Sequence, residues 1–292
     1  MPTSMDINLN VAEMEYAVRG PIPRRAAELA RQGMQTIPCN IGNPQALGQR
    51  PITYYRQVLS LLEHPPWVTR ERALRALVDR AGGGGPEGLD GGEVASEHVL
   101  QLCEAMLREL GTGLGAYTES KGPLFIREAV ARYIDARDGV QGGPTRSDPE
   151  QIFLTNGASE AAKFLIDMMV TGPDDGIMIP IPQYPLYSAA IRRAGGVQVN
   201  YYPDEDGGWT LDRSILERAH VEAVGRGVRV KAIVVINPGN PTGAVLPADS
   251  GRELVEFAGE HGLAIIADEV YQDNLYGAEF VSFARLVGDQ PI

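Results

Sequence analysis

The stretch that decides the fold runs from Ala232 to Tyr271, AIVVINPGNPTGAVLPADSGRELVEFAGEHGLAIIADEVY. It opens with Ala232–Ile236, a short apolar run rich in β-branched residues, which is typical of a strand buried on both faces of a parallel sheet. The prolines and glycines of Asn237–Gly243 then allow neither a strand nor a helix to continue. A helical apolar pattern follows and leads into a second apolar strand, Ala264–Ala267. The stretch therefore predicts strand, turn, helix and strand.

Polar residues come at or just after the end of both predicted strands. Asn240 lies in the turn after the first strand, and Asp268 and Tyr271 follow the second. In an open α/β sheet, ligands bind beyond the carboxyl ends of the strands. We therefore expect these three side chains to converge on one site.

The alternation of strands and helices extends back to residue 152. The other predicted strands are Ile152–Thr155, Gly176–Ile181 and Val197–Tyr202, and the helices between them are Ser159–Met169, Tyr187–Ala194 and Leu211–Val224. Such alternation predicts an α/β fold with a mostly parallel sheet flanked by helices. No GxGxxG motif follows any of these strands, which argues against a dinucleotide site.

The residues before 152 predict mainly helices. Residues 1–20 are expected to form an arm with little structure. Residues 81–92 (AGGGGPEGLDGG) are expected to form a flexible surface insertion, because they lack the GK[ST] ending and the preceding strand of a phosphate loop. The predicted elements are a helix from Pro21 that stops at Gly33, a short strand Thr36–Ile41, a helix Tyr54–Leu62 stopped by Pro65 and Pro66, a helix through Leu110 with Ser96 as its N-cap, and a helix Pro123–Ala136.

Composition limits the classes of partner. The net charge is −12 and the pI about 4.9, which argues against binding nucleic acid or an anionic membrane, although backbone amides can still bind an anion locally. No apolar run approaches the ~18 residues of a membrane span. The first ten residues lack a basic and an apolar region, so we expect a cytoplasmic protein. Cys39 and Cys103 are expected to be buried free thiols.

Three polar positions each have a structural and a functional interpretation. Ser159, after the Asn156-Gly157-Ala158 turn, is either an N-cap or part of an anion site at a helix N-terminus. Tyr184 is either a packed aromatic residue or a ring that stacks on another π-system. Asp268 is either the partner of an arginine or the acid that pairs with a protonated pyridine nitrogen.

Taken together, these motifs closely resemble those of the fold-type I pyridoxal phosphate aminotransferases. The strings EMEYAVRGPI, NIGNPQALGQRPITYYRQVLSLLEHP, LGAYTESKG, LTNGASEAAKFLIDMM, PIPQYPLYSA, INPGNPTG and ADEVYQDN are similar to the alanine aminotransferase group. The resemblance covers almost the whole chain apart from the Gly-rich insertion and the last few residues.

The resemblance implies a role for each residue of a pyridoxal 5'-phosphate site. Ala158 and Ser159 would bind the phosphate of the cofactor, and Tyr184 would stack on its pyridine ring. Asp268 would pair with the pyridine nitrogen.

Other positions would complete the site. Asn240 and Tyr271 would hydrogen-bond the phenolic oxygen of the cofactor. Gly42 would lie against the carboxylate of the substrate. Tyr117 would reach the phosphate of the neighbouring subunit, which implies a homodimer with shared sites.

The implied reaction exchanges the amino group of L-alanine with 2-oxoglutarate, so the partners would be small amino acids and 2-oxo acids. Alternatives within the same fold are an aminotransferase for aromatic or branched-chain amino acids and an aminocyclopropane-carboxylate synthase. An alternative of another class is a catalytically inactive domain of this fold that serves as a binding module. No metal site is expected.

No residue of this chain matches the lysine that forms the Schiff base in this family. The three lysines, Lys121, Lys163 and Lys231, all precede the Asp268 strand, whereas the family's lysine follows it. We therefore expect residues 1–110 to be an arm with part of a small domain, and residues 111–292 to be a cofactor-binding large domain that stops before the lysine. This chain alone is predicted to be inactive.

Overall fold

The computed structural model describes residues 7–16, 20–37, 42, 44–80, 94–111, 114–139 and 147–288. Their contacts fall into two units, one formed by the described parts of Met1–Asn40 and Glu128–Ile292, the other by those of Ile41–Arg127. The domain boundary placed between residues 110 and 111 stays a prediction. The Gly-rich segment 81–92 lies outside the described residues.

A four-stranded parallel sheet forms the centre of the larger unit. Its strands are β1 (Asp175–Pro180), β2 (Val197–Tyr201), β3 (Arg229–Ile236) and β4 (Ala264–Asp268). They lie in the order β2-β1-β3-β4, and every neighbouring pair is parallel. The predicted α/β fold with a parallel sheet and flanking helices is confirmed.

The described residues contain eleven α-helices. They are α1 (Leu9–Ala12), α2 (Pro21–Arg31), α3 (Thr53–Glu63), α4 (Pro66–Arg80), α5 (Glu97–Leu110), α6 (Leu124–Arg137), α7 (Ala158–Met169), α8 (Leu186–Ala194), α9 (Arg213–Gly225), α10 (Ala248–His261) and α11 (Phe283–Val287). No helix of the described residues has both the length and the apolarity needed to cross a bilayer.

Alternating side chains of the strands bury both faces of the sheet. Ile233 and Val235 of β3 pack into a core with α9 and α10, while Ala232 and Val234 pack into a second core with α7 and α8. Successive strand residues point to opposite faces, so a continuous apolar run is what two covered faces require. The interpretation of Ala232–Ile236 as a fully buried strand is thereby confirmed.

Among the described residues, one predicted element, the strand Ile152–Thr155, is contradicted. Ile152–Thr155 has no regular structure and no place in the four-stranded sheet of the described residues. A strand exists only through its ladder to a neighbouring strand. Pro65 and Pro66 do separate two elements, but Pro66 also begins α4, because proline suits the first turn of a helix. The part of Thr36–Ile41 that is described, residues 36 and 37, has no regular structure.

The smaller unit has its own apolar core between α3, α4 and α5. Leu61, Val99 and Leu100 are buried there, and Cys103 is a buried free thiol as predicted, whereas Cys39 lies outside the described residues. The N-cap of α5 is also confirmed, since the Ser96 hydroxyl oxygen accepts a hydrogen bond from the Val99 N–H at 3.2 Å.

Candidate active site

A cavity of about 290 Å³ opens where the carboxyl ends of β1, β3 and β4 meet. The chain order of the strands reverses between β1 and β3, and such a switch point leaves a crevice beyond the strand ends. The cavity is lined by Ala158, Ser159, Tyr184, Leu186, Ile236, Asn240, Asp268, Val270 and Tyr271. Six of the seven residues predicted to hold a cofactor therefore line one space.

Hydrogen bonds of the backbone and of the Asn237 side chain hold the turn after β3. Asn237 is buried; its N–H donates to the Asp268 carbonyl at 2.9 Å, and its side-chain oxygen accepts from the Leu246 N–H at 2.9 Å. Further along, the Gly243 N–H donates to the Gly239 carbonyl at 2.8 Å. These bonds fix the turn that carries Asn240 to the rim of the cavity.

Asp268 ends β4 with a carboxylate that faces hydrogen-bond donors. The Tyr187 hydroxyl donates to one carboxylate oxygen at 2.5 Å, and the Val270 N–H donates to the other at 3.3 Å. Among the described residues no arginine pairs with Asp268, so the ion-pair interpretation is wrong for these residues. Burial, and then the hydrogen bond to Asp268, raise the pKa of Tyr187, so its hydroxyl remains a donor at neutral pH.

Tyr187 is a residue of the site that the sequence did not single out. It lies on α8, only 1% exposed, and packs under the sheet with Ile177 and Ile179. The available signal was indirect: a carboxylate at the end of an apolar strand needs a donor, and Tyr187 is a polar-tipped residue on the inward face of α8.

Asn240 and Tyr271 meet across the cavity rim. The Asn240 side-chain amide donates to the Tyr271 hydroxyl oxygen at 3.1 Å. Within the described part of the chain, the second amide proton of Asn240 and the Tyr271 hydroxyl proton remain available for a ligand oxygen. The two residues are 31 positions apart in sequence and come together only through the β3–β4 pairing.

The start of α7 offers backbone donors to the same cavity. Its N-cap is Gly157, with φ +83°, rather than Ser159, so the interpretation of Ser159 as the N-cap is wrong. Glu160 accepts a hydrogen bond from the Asn156 N–H at 2.6 Å. Among the described residues no acceptor meets the N–H groups of Ala158 and Ser159, which leaves both free for an anion.

Tyr184 is held by a residue of the N-terminal arm. The hydroxyls of Tyr16 and Tyr184 lie 2.6 Å apart, with the ring centroids 6.3 Å apart and the rings nearly perpendicular. Glu13 also pairs with Arg192 of α8. The arm, predicted to have little structure, is thus anchored beside the cavity in its described part.

Gly42 and Tyr117 belong to the smaller unit, where both are exposed. The Tyr117 side chain is fully accessible, at 106% of its reference area. Their roles against the substrate carboxylate and the neighbouring subunit's phosphate stay predictions.

The residues present fit pyridoxal phosphate, the cofactor that the resemblance implies. The cavity volume is close to the lower end of the usual range for small-molecule sites, ~300 Å³. Its polar groups are sorted as the cofactor requires, with free N–H groups for a phosphate at Ala158 and Ser159, an aromatic ring at Tyr184 and a carboxylate at Asp268. The chemistry of this donor set matches the group from its phosphate to its ring nitrogen.

Comparisons with known proteins show which family the chain resembles. The alanine aminotransferase 1 of Homo sapiens is 43% identical over 96% of this chain, and the mitochondrial alanine aminotransferase of Saccharomyces cerevisiae is 40% identical over 98%. The alignments cover 54% and 47% of those proteins, so the chain spans about half the length of the curated relatives it matches.

Solved structures share the fold. An aminotransferase from Escherichia coli superposes with a TM-score of 0.66 at 26% identity, over 97% of this chain and 56% of that one. The sequence profile of the family "Aminotransferase class I and II" matches residues 88–291. The chain therefore belongs to the class I and II aminotransferases, a family that uses pyridoxal phosphate.

Proposed function

We propose that the protein is a pyridoxal phosphate-dependent alanine aminotransferase, which converts L-alanine and 2-oxoglutarate to pyruvate and L-glutamate. The observation that carries the proposal is the single cavity that collects Asp268, Asn240, Tyr271 and Tyr184 with the free N–H groups of α7. The assignment to alanine is supported by relatives named alanine aminotransferase at 38–44% identity over 96–98% of the chain.

When bound, the cofactor supplies an electron sink for the bonds at the amino acid's α-carbon. Asp268 would hold a proton on the ring nitrogen, because an ionised carboxylate stabilises the charged form of a neighbouring base. Tyr187 fixes the rotamer of this carboxylate through the 2.5 Å hydrogen bond and occupies one of its oxygens. The other oxygen accepts from the Val270 N–H and retains a lone pair with which it could accept from the ring nitrogen.

The remaining residues bind and orient the ring. Asn240 and Tyr271 would donate to the phenolic oxygen, and their mutual hydrogen bond at 3.1 Å sets the direction of both donors. Tyr184 would cover one face of the ring and exclude water from it, with Tyr16 restraining its hydroxyl. The N–H groups of Ala158 and Ser159, at the positive end of α7, would bind the phosphate.

A second amino-group exchange deserves the same test. The glutamate–glyoxylate aminotransferase 2 of Arabidopsis thaliana is 40% identical over 97% of this chain, as similar as several alanine aminotransferases. Transfer of the amino group from glutamate to glyoxylate, in place of pyruvate, is therefore the second candidate function.

The experiment measures half-reactions with the protein of the complete reading frame to which these residues belong. Alanine, glutamate, tyrosine and leucine are offered as amino donors, and pyruvate, glyoxylate and 2-oxoglutarate as acceptors. We expect the highest kcat/KM with alanine and 2-oxoglutarate. A higher kcat/KM with tyrosine or leucine would contradict the assignment, and a higher one with glyoxylate than with pyruvate would favour the second candidate.

We also propose that the protein is a homodimer in which Tyr117 completes the neighbouring phosphate site. The full exposure of Tyr117 supports this, since its hydroxyl is available to a second chain. Sedimentation should give twice the monomer mass, and Tyr117→Phe should weaken cofactor binding without dissociating the dimer. A cytoplasmic location stays a prediction, and the yeast relative is named mitochondrial.

A further inference from the structure

Ser159 lies at the junction of two cavities. The first is the 290 Å³ cavity described above, and the second has about 420 Å³ and is lined by Met14, Tyr16, Ser159, Lys163, Leu186, Ala189, Ala190 and Arg193. Ser159 and Leu186 belong to both. A ligand group bound at Ser159 is therefore next to the second cavity as well as within the first.

Lys163 lines the second cavity with an exposed side chain. It is four residues after Ser159 on α7, so the two side chains lie on the same face of the helix. The side chains of a helix tilt toward its N-terminus, which directs the long lysine side chain back toward Ser159. Within the described part of the chain, Lys163 forms no ion pair.

The neighbouring charges are already committed to other partners. Arg193, the other cation of the second cavity, pairs with Asp167 of α7 at 2.5 Å. Asp167 is thus occupied, and the Glu160 carboxylate accepts from the Asn156 N–H. The exposed ammonium group of Lys163 can therefore turn to an anionic ligand without breaking an ion pair of the described residues.

We propose that Lys163 is a binding residue for the phosphate of the cofactor, adding a cation to the N–H groups at the start of α7. This rests on the proposed pyridoxal phosphate site. A phosphate dianion at Ala158 and Ser159 would be stabilised by the backbone donors and the helix dipole, and an ammonium group in contact with it would add a charge-assisted hydrogen bond. The alternative is that the exposed Lys163 stays solvated when the cofactor binds and contributes only to solubility.

The test compares two ligands that differ only in the phosphate. Pyridoxal phosphate and pyridoxal are titrated into the cofactor-free protein of the complete reading frame at low salt, and binding is followed by protein fluorescence. In Lys163→Gln we expect the Kd of pyridoxal phosphate to rise about threefold to tenfold, the range of one charge-assisted contact. The Kd of pyridoxal should not change, and Lys163→Arg should bind pyridoxal phosphate nearly as tightly as wild type.

Arg226→Gln is the matched control. It removes one positive charge from the exposed residue that follows α9, lines neither cavity and should leave both Kd values unchanged. Equal affinity of wild type and Lys163→Gln for pyridoxal phosphate would overturn the inference while leaving the proposed function intact. So would an equal loss for both ligands. Failure of the wild type to bind pyridoxal phosphate at all would overturn the proposed function together with the inference.

Discussion

At the scale of the single residue, the proposed cofactor chemistry depends most on Asp268. Asp268→Asn keeps the shape and the hydrogen bond from Tyr187 but removes the charge opposite the ring nitrogen. We expect kcat to fall about 10²-fold to 10³-fold, the usual loss when one preorganised electrostatic partner is removed. Steady-state kinetics of the complete protein measures this, with circular dichroism to show that the fold is kept. A variant with wild-type kcat would remove Asp268 from the proposed mechanism.

Tyr187 donates a hydrogen bond to Asp268 and should therefore affect both stability and cofactor binding. In Tyr187→Phe the carboxylate loses its 2.5 Å donor, and we expect a loss of about 1–3 kcal/mol in the free energy of unfolding. Tyr201→Phe, which removes a buried hydroxyl bound to the Val234 carbonyl at 2.8 Å, is the control for losing a tyrosine hydroxyl away from the cavity. Both should cost stability, but only Tyr187→Phe should weaken binding of pyridoxal phosphate; equal binding losses would contradict this.

Asp175 should make the free energy of unfolding depend on pH in acid. Hydrogen bonds from the Thr171 hydroxyl and N–H, at 2.7 and 2.8 Å, and then the charges of Arg229 and Lys231, lower the pKa of Asp175 from 3.8 to about 2. Because the folded pKa is the lower one, the stabilisation is complete above about pH 4 and is lost as the pH falls toward 2.

The corresponding measurement is denaturant unfolding at a series of pH values. We expect Thr171→Val, which removes the hydroxyl donor, to flatten the fall in unfolding free energy between about pH 4 and about pH 2. The exposed Asp249, replaced by asparagine, is the control and should leave the slope unchanged. An unaltered slope in Thr171→Val would show that this hydroxyl does not lower the pKa of Asp175.

At the scale of elements, α9 and α10 contact each other through a pair of histidines. The rings of His220 and His261 lie 4.1 Å apart, and His261 bonds Glu217 at 3.1 Å. Burial, and then the proximity of His261, lower the pKa of His220, while Glu217 partly opposes this. The other groups at this contact are Phe257 and the Arg213–Glu260 ion pair.

This helix pair should lose stability in mild acid. A histidine whose folded pKa is below the ordinary 6.5 contributes stability above that pH and loses it as the pH falls. We expect the free energy of unfolding to decrease below about pH 6.5, and to decrease less steeply in His220→Gln. His98→Gln on α5 is the control. Parallel pH profiles for wild type and His220→Gln would rule the pair out as the cause.

At the scale of the whole molecule, the described residues leave much apolar surface exposed and both edges of the four-stranded sheet without a neighbouring strand. Among the described residues β4 pairs only with β3, and Phe153, Phe164 and Met168 are 63%, 55% and 75% exposed. The relatives are about twice as long as this chain. Open edges and apolar patches promote association.

We therefore predict that residues 1–292, expressed alone, aggregate and retain no cofactor covalently. Size-exclusion chromatography, a melting curve and the visible spectrum after dialysis against buffer measure this, with the protein of the complete reading frame as the control. A soluble dimer that melts cooperatively and keeps its visible band would show that the prediction is wrong.

The sequence alone determined the elements whose signals are local. Ala232–Ile236 and the turn after it could be predicted because β-branched runs and Pro-Gly turns restrict the backbone within a few residues. The helix N-cap Ser96 was predictable for the same reason. The predicted cofactor residues lie at the ends of strands or in the turns after them. Because the carboxyl ends of parallel strands meet at one edge of the sheet, a parallel sheet brings these residues together.

The tertiary structure alone decided which groups meet across the chain. Tyr187 and Asp268 are 81 residues apart, and Tyr16 and Tyr184 are 168 apart; no local pattern pairs them, because the contacts depend on how α8 and the arm pack against the sheet. The same holds for Ile152–Thr155, whose sequence suits a strand. Strand formation requires a hydrogen-bonded neighbour, and that neighbour is a property of the folded molecule rather than of the segment.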